Sequence, residues 1–252
     1  LALTFGYTLI MAETSLGRMT RKSPVGAFES FGNSRFISIG GWINAIIPIL
    51  IVPYYSVIGG WVIKYLIEYF AGHSKTLAGD AYFTTFISNG WSTEICFIIF
   101  TLFTLGIIYA GVRNGIERVS RFMMPILIVL SLIIAVYSVT RPGAIEGVKY
   151  FLVPNFEHFS WMTVVSAMGQ MFYSLSIAMG ILIAIMAGLM IIPAVFAFSG
   201  GNAATLKSGP ALMFITIPKV FANMGFGTAI GIVFFLLVLF AAMTSSIALT
   251  ES

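Results

Sequence analysis

Apolar residues in this chain come in near-continuous runs, separated by short polar stretches. Leu1 to Leu16 is apolar, carries one charge, Glu13, and ends at Gly17-Arg18. Gly40 to Phe70 is a long second run, closed by the i,i+4 pair Lys64 and Glu68. Thr93 to Ala110, Phe122 to Val139 and Phe226 to Thr250 follow, with polar segments at Ala71 to Ser92 and Arg141 to Ser160 between them. Runs of this length without alternation predict helices that cross a bilayer, since barrel strands alternate over about ten residues.

Between Met162 and Phe198 no charged residue occurs. About 37 residues of helix at about 1.5 Å each would approach twice the hydrocarbon thickness, so two spans are expected here. Leu182-Ile183-Ala184-Ile185-Met186 offers no turn residue to separate them. The expectation is a segment absent between Ile183 and Ala184. Ser199 to Asn223, with Gly200-Gly201, Gly209-Pro210 and Pro218, reads as two short helices within a loop.

Composition sharpens the class. Hydrophobic residues make up 59% and charged residues 9%, with a mean hydropathy of +1.00, whereas soluble domains carry about a quarter charged residues. The fold class is all-α: a polytopic membrane helix bundle. The net charge of +4 comes from basic residues beside the spans, Arg18, Arg21, Lys22 and Arg35 in one loop and Arg113, Arg118 and Arg121 in another. The positive-inside rule accounts for this without a nucleic-acid partner and places both loops in the cytoplasm. Cys96 is the one cysteine, so an intrachain disulfide is excluded. The chain opens on Leu1 inside an apolar run, which reads as a single transmembrane domain over 1–252 whose first and C-terminal helices are absent.

The run Met162 to Ile183 places Ser174, Ser176 and Gly180 at bilayer depth. A helix that unwinds there exposes carbonyls and hydroxyls able to hold a cation or polar ligand. Gly169-Gln170-Met171-Phe172-Tyr173-Ser174-Leu175-Ser176 with Met179-Gly180 resembles the broken sixth helix of the neurotransmitter:sodium symporters, the sodium-coupled amino-acid and amine transporters. Glu13 with Leu16-Gly17-Arg18, Pro53-Tyr54-Tyr55 with Trp61, Asn114-Gly115-Ile116-Glu117-Arg118, and Phe240 to Ile247 match the same family in its order. The resemblance covers the family's second to eighth helices and implies its inverted-repeat fold with discontinuous helices.

Thr244 and Ser245 are adjacent hydroxyls on an apolar helix, with Ala241 at i, i+3 and i+4 from them. On residue chemistry alone, packing or back-bonding to a carbonyl one turn earlier is the more economical account. The resemblance reverses this and assigns Ala241, Thr244 and Ser245 to one of two Na⁺ sites. It gives Ser174 to the other, where the family more often has Thr. Further ligands of that site belong to the first and seventh helices, so each cage is only partly present.

For the amino-acid substrate the resemblance implies that Tyr55 donates to the carboxylate, Tyr173 forms an aromatic lid and Ser176 with unwound carbonyls receives the ammonium. Ile51, Met179 and Leu249 would line the side-chain pocket, which suits a hydrophobic or aromatic substrate. Packing alone would also explain these residues. Ala178 stands where relatives often carry Gly, which bears on how far the helix unwinds.

Glu13, as an intramembrane acid, calls for a role or partner, and the resemblance makes it a brace behind the broken helices. Gly115 and Pro125, ten apart, match a pattern linked to local unwinding, while Pro125 in an early turn is also simply tolerated. The implied function is Na⁺-coupled symport of a hydrophobic or aromatic amino acid in a bacterial plasma membrane. A proton-coupled or exchanging permease and a non-transporting membrane scaffold are the alternatives. An enzyme is a poor fit, because His73 and His158 fall in loops and Cys96 has no partner.

Overall fold

A computed structural model describes residues 7–32, 35–111, 113–156, 159–176, 180–198, 200, 206, 209 and 211–251, except for the side chains of 7, 9, 10, 13, 113–120, 171–176, 180–184 and 251. Among the described residues there is no strand, and the all-α expectation holds. The helices are α1 Tyr7–Thr20, α2 Pro24–Glu29, α3 Arg35–Phe70, α4 Ser74–Leu77, α5 Tyr82–Ser88 and α6 Gly90–Tyr109. They continue as α7 Arg113–Val139, α8 Ala144–Leu152, α9 Trp161–Ser176, α10 Gly180–Phe198, α11 Ala211–Ala222 and α12 Gly227–Glu251. Four stretches are long and apolar enough to cross a membrane: Arg35–Phe70, Gly90–Tyr109, Arg121–Val139 and Gly227–Thr250. In the most apolar part of α6 only 17% of residues are buried. Ile95, Ile98, Ile99, Leu102 and Phe103 are left outward. Such a surface needs lipid or further protein against it.

The chain divides into two compact units. The first comprises Leu1–Ile51 and Pro154–Ile185. Here α1 ends because Arg21 turns into the left-handed region at φ 49°, its N–H reaching back to the Gly17 carbonyl at 3.0 Å. Ser23 then caps α2, accepting from the Gly26 N–H at 3.4 Å, with Pro24 in the first turn where its missing N–H costs nothing. α2 lies close against the start of α3. A Cβ on Gly41 would come within 2.7 Å of the Val25 Cα, so only glycine permits this approach.

The second unit is Val52–Val153 with Met186–Glu251. Its core is aromatic: Tyr65, Tyr69, Phe214, Phe221, Phe234 and Phe235 are fully buried or nearly so. Trp61 meets Phe83 and Phe214 edge-on, with centroids 5.1 Å and 5.6 Å away, the arrangement that the ring quadrupoles favour. α3 and α6 cross closely, because Gly60 abuts the Cys96–Phe97 backbone, where an added Cβ would come within 2.8 Å of the Phe97 nitrogen. α7 packs on α12, and Ser131, Ile134, Ala135 and Ser138 form its buried stripe at the spacing of one helix face. The short α11 packs against α4, α5 and α12.

Several expected boundaries move. At Ile183 and Ala184, where an absent segment is expected, α10 runs on from Gly180 to Phe198. Leu182 to Met186 are all residues a helix accepts, so joined chain continues helical through them. α9 is described to Ser176 and α10 from Gly180, and residues 177–179 lie outside the described part. α7 begins at Arg113, so Pro125 is deep inside it and not in an early turn. There it removes the N–H that would bond to the Arg121 carbonyl. The polar stretch after Phe70 contains the small helices α4 and α5. Of the two short helices expected in Ser199 to Asn223, α11 is observed, and most of 199–210 lies outside the described residues.

Candidate functional site

On α12 the hydroxyl of Thr244 donates to the Ala241 carbonyl at 2.9 Å. Ala241, Thr244, Ser245 and Leu249 are all half-buried, while Met243, Ser246 and Ile247 are buried. Residues 241, 245 and 249 are successive i+4 steps, so they share one stripe of the helix, with Thr244 beside it. The stripe presents a carbonyl and two hydroxyls, neutral hard oxygens that suit an alkali cation. Among the described residues no group of three His, Cys, Asp or Glu side chains is placed to hold a metal ion.

Ile51 and Tyr55 are both on α3 and each is half-buried. Tyr54, by contrast, lines a cleft of about 300 Å³ with Pro53, Val57, Thr93, Glu94 and Phe97. Tyr173, Ser174 and Ser176 occupy the last turns of α9, their side chains outside the described part; Met179 lies outside the described residues, as do Ala178 and His158. Glu13 is on α1 with its side chain likewise undescribed, and Gly115 and Pro125 are both on α7. The structure therefore aligns the α12 residues with one another, while Ile51 belongs to the first unit and Tyr55 to the second. The α9 residues belong to the other unit from Tyr55 and α12.

Charged contacts gather near the Phe70 end of α3. Lys64 pairs with Glu68 at 2.7 Å, as its i,i+4 spacing predicts, and His73 Nδ1 approaches the other Glu68 oxygen at 2.7 Å. Tyr82, on α5, is held well above the usual phenol range, first by burial and then by the Glu68 carboxylate beside it. Farther along, Lys219 of α11 donates to Asp80 in the α4–α5 connection. This last contact has no local signature: its partners are 139 residues apart.

The model of the family described as "Sodium:neurotransmitter symporter family" matches residues 67–190. An uncharacterized sodium-dependent transporter of Bacillus subtilis is 32% identical over 98% of this chain and 60% of its own length. The crystal structure of MhsT in complex with L-phenylalanine superposes with a TM-score of 0.84 at 31% identity, over 98% of this chain and 62% of that one. This chain is a homologue of the sodium:neurotransmitter symporters. The resemblance read from the broken helix and its companion motifs thus holds, and so does the discontinuous-helix transporter fold. With its long apolar helices, this symporter homologue is an integral membrane protein. Its chain spans about three fifths of the length of the bacterial relative. A human protein named as an inactive sodium-dependent neutral amino acid transporter is also similar, 26% identical over 71% of this chain and 33% of its own length.

Proposed function

We propose that this protein acts as a secondary transporter, coupling Na⁺ entry to symport of a hydrophobic or aromatic amino acid by alternating access. The observation that carries the reading is on α12, where Thr244 donates to the Ala241 carbonyl and Ser245 follows it in a largely apolar span. The matching structure's bound phenylalanine supports the substrate class. In this reading Ala241, Thr244 and Ser245 contribute to one Na⁺ site and Ser174 to a second. Tyr55 donates to the substrate carboxylate, Tyr173 covers the substrate, and Ser176 receives its ammonium. Ile51, Met179 and Leu249 face its side chain, Glu13 braces the broken helices, and Gly115 with Pro125 permits water entry from the inner side.

The basic loops put Arg18 to Arg35 and Arg113 to Arg121 in the cytoplasm of a bacterial cell. The Lys64–Glu68–His73 cluster and α11 then face outward. Transport, and not catalysis, is the activity. The match to the Bacillus protein runs over 275 residues, more than the 252 of this chain, so that relative carries residues within the matched span that are lacking here. We place them next to Ile183, where two spans' worth of apolar sequence meets without a turn.

Uptake of labelled phenylalanine or leucine into liposomes holding the intact protein tests the reading. A Na⁺ gradient should drive it, and a proton gradient alone should not. Uptake that ignores Na⁺ would favour a proton-coupled or exchanging permease. The similarity to the human protein named inactive keeps a scaffold role as the second reading, which absence of any amino-acid binding would favour.

A further inference from the structure

α11 is too short to span a bilayer, yet it is the most deeply packed short helix: Phe214, Thr216, Ile217, Pro218, Lys219, Val220 and Phe221 are all buried. Lys219 is the anomaly in that series. Its side chain is 11% exposed and its amine emerges at Asp80, which is 87% exposed. The aliphatic stem crosses an apolar layer so that the charge can reach the surface, as long cationic side chains do.

The pair is the end of a longer polar relay. The Lys219 carbonyl accepts from Asn223 Nδ2 at 2.8 Å, and the Asn223 carbonyl accepts from the Tyr137 hydroxyl at 2.5 Å. The Arg141 guanidinium lies over the Tyr137 ring, 4.1 Å from its centroid. A separate link joins Thr228 of α12 to Ser74 of α4 at 2.9 Å. Within the second unit, α11 is therefore fixed to α7 on one side and to the α4–α5 connection on the other. Apolar packing alone is non-directional and leaves the register of α11 free to slip; these polar contacts remove that freedom.

We propose that the Lys219–Asp80 ion pair is a latch that holds α11 and the α4–α5 segment together as one cap, and that opening the latch sets how fast the cap yields to solute at the outer side. The second clause rests on the transport reading. Lys219 and Asp80 are positioning residues here, acting through the helix they fix.

Hydrogen exchange of the intact protein in nanodiscs reads the latch without any transport. Asp80→Asn, a change at an exposed position that leaves the fold intact, should speed amide exchange across 211–222 and 74–88 about three- to fivefold, the range for losing one partly exposed ion pair. Asp80→Glu, which keeps the charge at the exposed position, should keep the parent rate. Parent-like exchange in Asp80→Asn would overturn the latch. Na⁺-driven uptake then tests its role: a changed maximal rate in Asp80→Asn with an unchanged KM supports it, and unaltered uptake alongside loosened exchange overturns it. Absence of uptake in the parent overturns the transport reading and the latch's role in it, while the exchange result still decides the latch itself.

Discussion

Thr244 donates its hydroxyl proton to the Ala241 carbonyl one turn back on α12, at 2.9 Å. That geometry is compatible with ordinary back-bonding and equally with a half-built cation cage. Substitution separates the two. Thr244→Ala or Ser245→Ala should weaken Na⁺ binding by about 1.5 to 3 kcal/mol, the scale of a polar contact to a charged group, with little change in thermal stability. Titrating Na⁺ against amino-acid binding measures this, and unchanged Na⁺ affinity in both variants would leave only the packing role.

Tyr55 is half-buried on α3. If its hydroxyl donates to the substrate carboxylate, Tyr55→Phe should cost about 1.5 to 3 kcal/mol of amino-acid affinity, while Tyr54→Phe, in the cleft with Glu94, should cost almost nothing. A scintillation proximity assay on the two variants reads the contrast. Equal losses would remove Tyr55 from the site.

Substrate choice should follow the volume available near Met179. Met179→Phe adds a ring to the pocket, so phenylalanine and tryptophan should fall in rank below leucine and alanine, by about tenfold where one or two methylenes' worth of space is lost. A competition series shows the ranking, and an unaltered order would place Met179 elsewhere.

How much of this was legible in the sequence depends on the range of each interaction. Ala241, Thr244 and Ser245 could be grouped because i, i+3 and i+4 are neighbours on any helix, and Lys64 with Glu68 for the same reason. Boundaries were harder. Arg35 and Arg113 begin helices well before the apolar runs do, because arginine is a good helix former and hydropathy registers only the apolar part. α4 and α5, of four and seven residues, are too short to show a period. Lys219 and Asp80 could not be paired at all, since nothing local encodes a contact across 139 residues. α10 runs on through Ile183 and Ala184 because joined residues with no turn former stay helical, so a missing segment there shows in the span count and not in the helix.

The crossing of α3 and α6 supplies a stability test free of any transport assumption. At Gly60 an added Cβ would stand 2.8 Å from the Phe97 nitrogen and 2.9 Å from the Cys96 carbonyl carbon. Both are backbone atoms of a helix and cannot rotate aside. Gly106, farther along α6, has nothing within 4 Å of its would-be Cβ. Gly60→Ala must therefore push the helices apart, at a cost of about 1 to 3 kcal/mol for overpacking. Gly106→Ala should be neutral or stabilising by about 0.5 to 1 kcal/mol, since alanine loses less backbone entropy in a helix. Thermal unfolding of both variants in the same detergent checks the sign of each change. The opposite order would mean that α3 and α6 do not touch at Gly60.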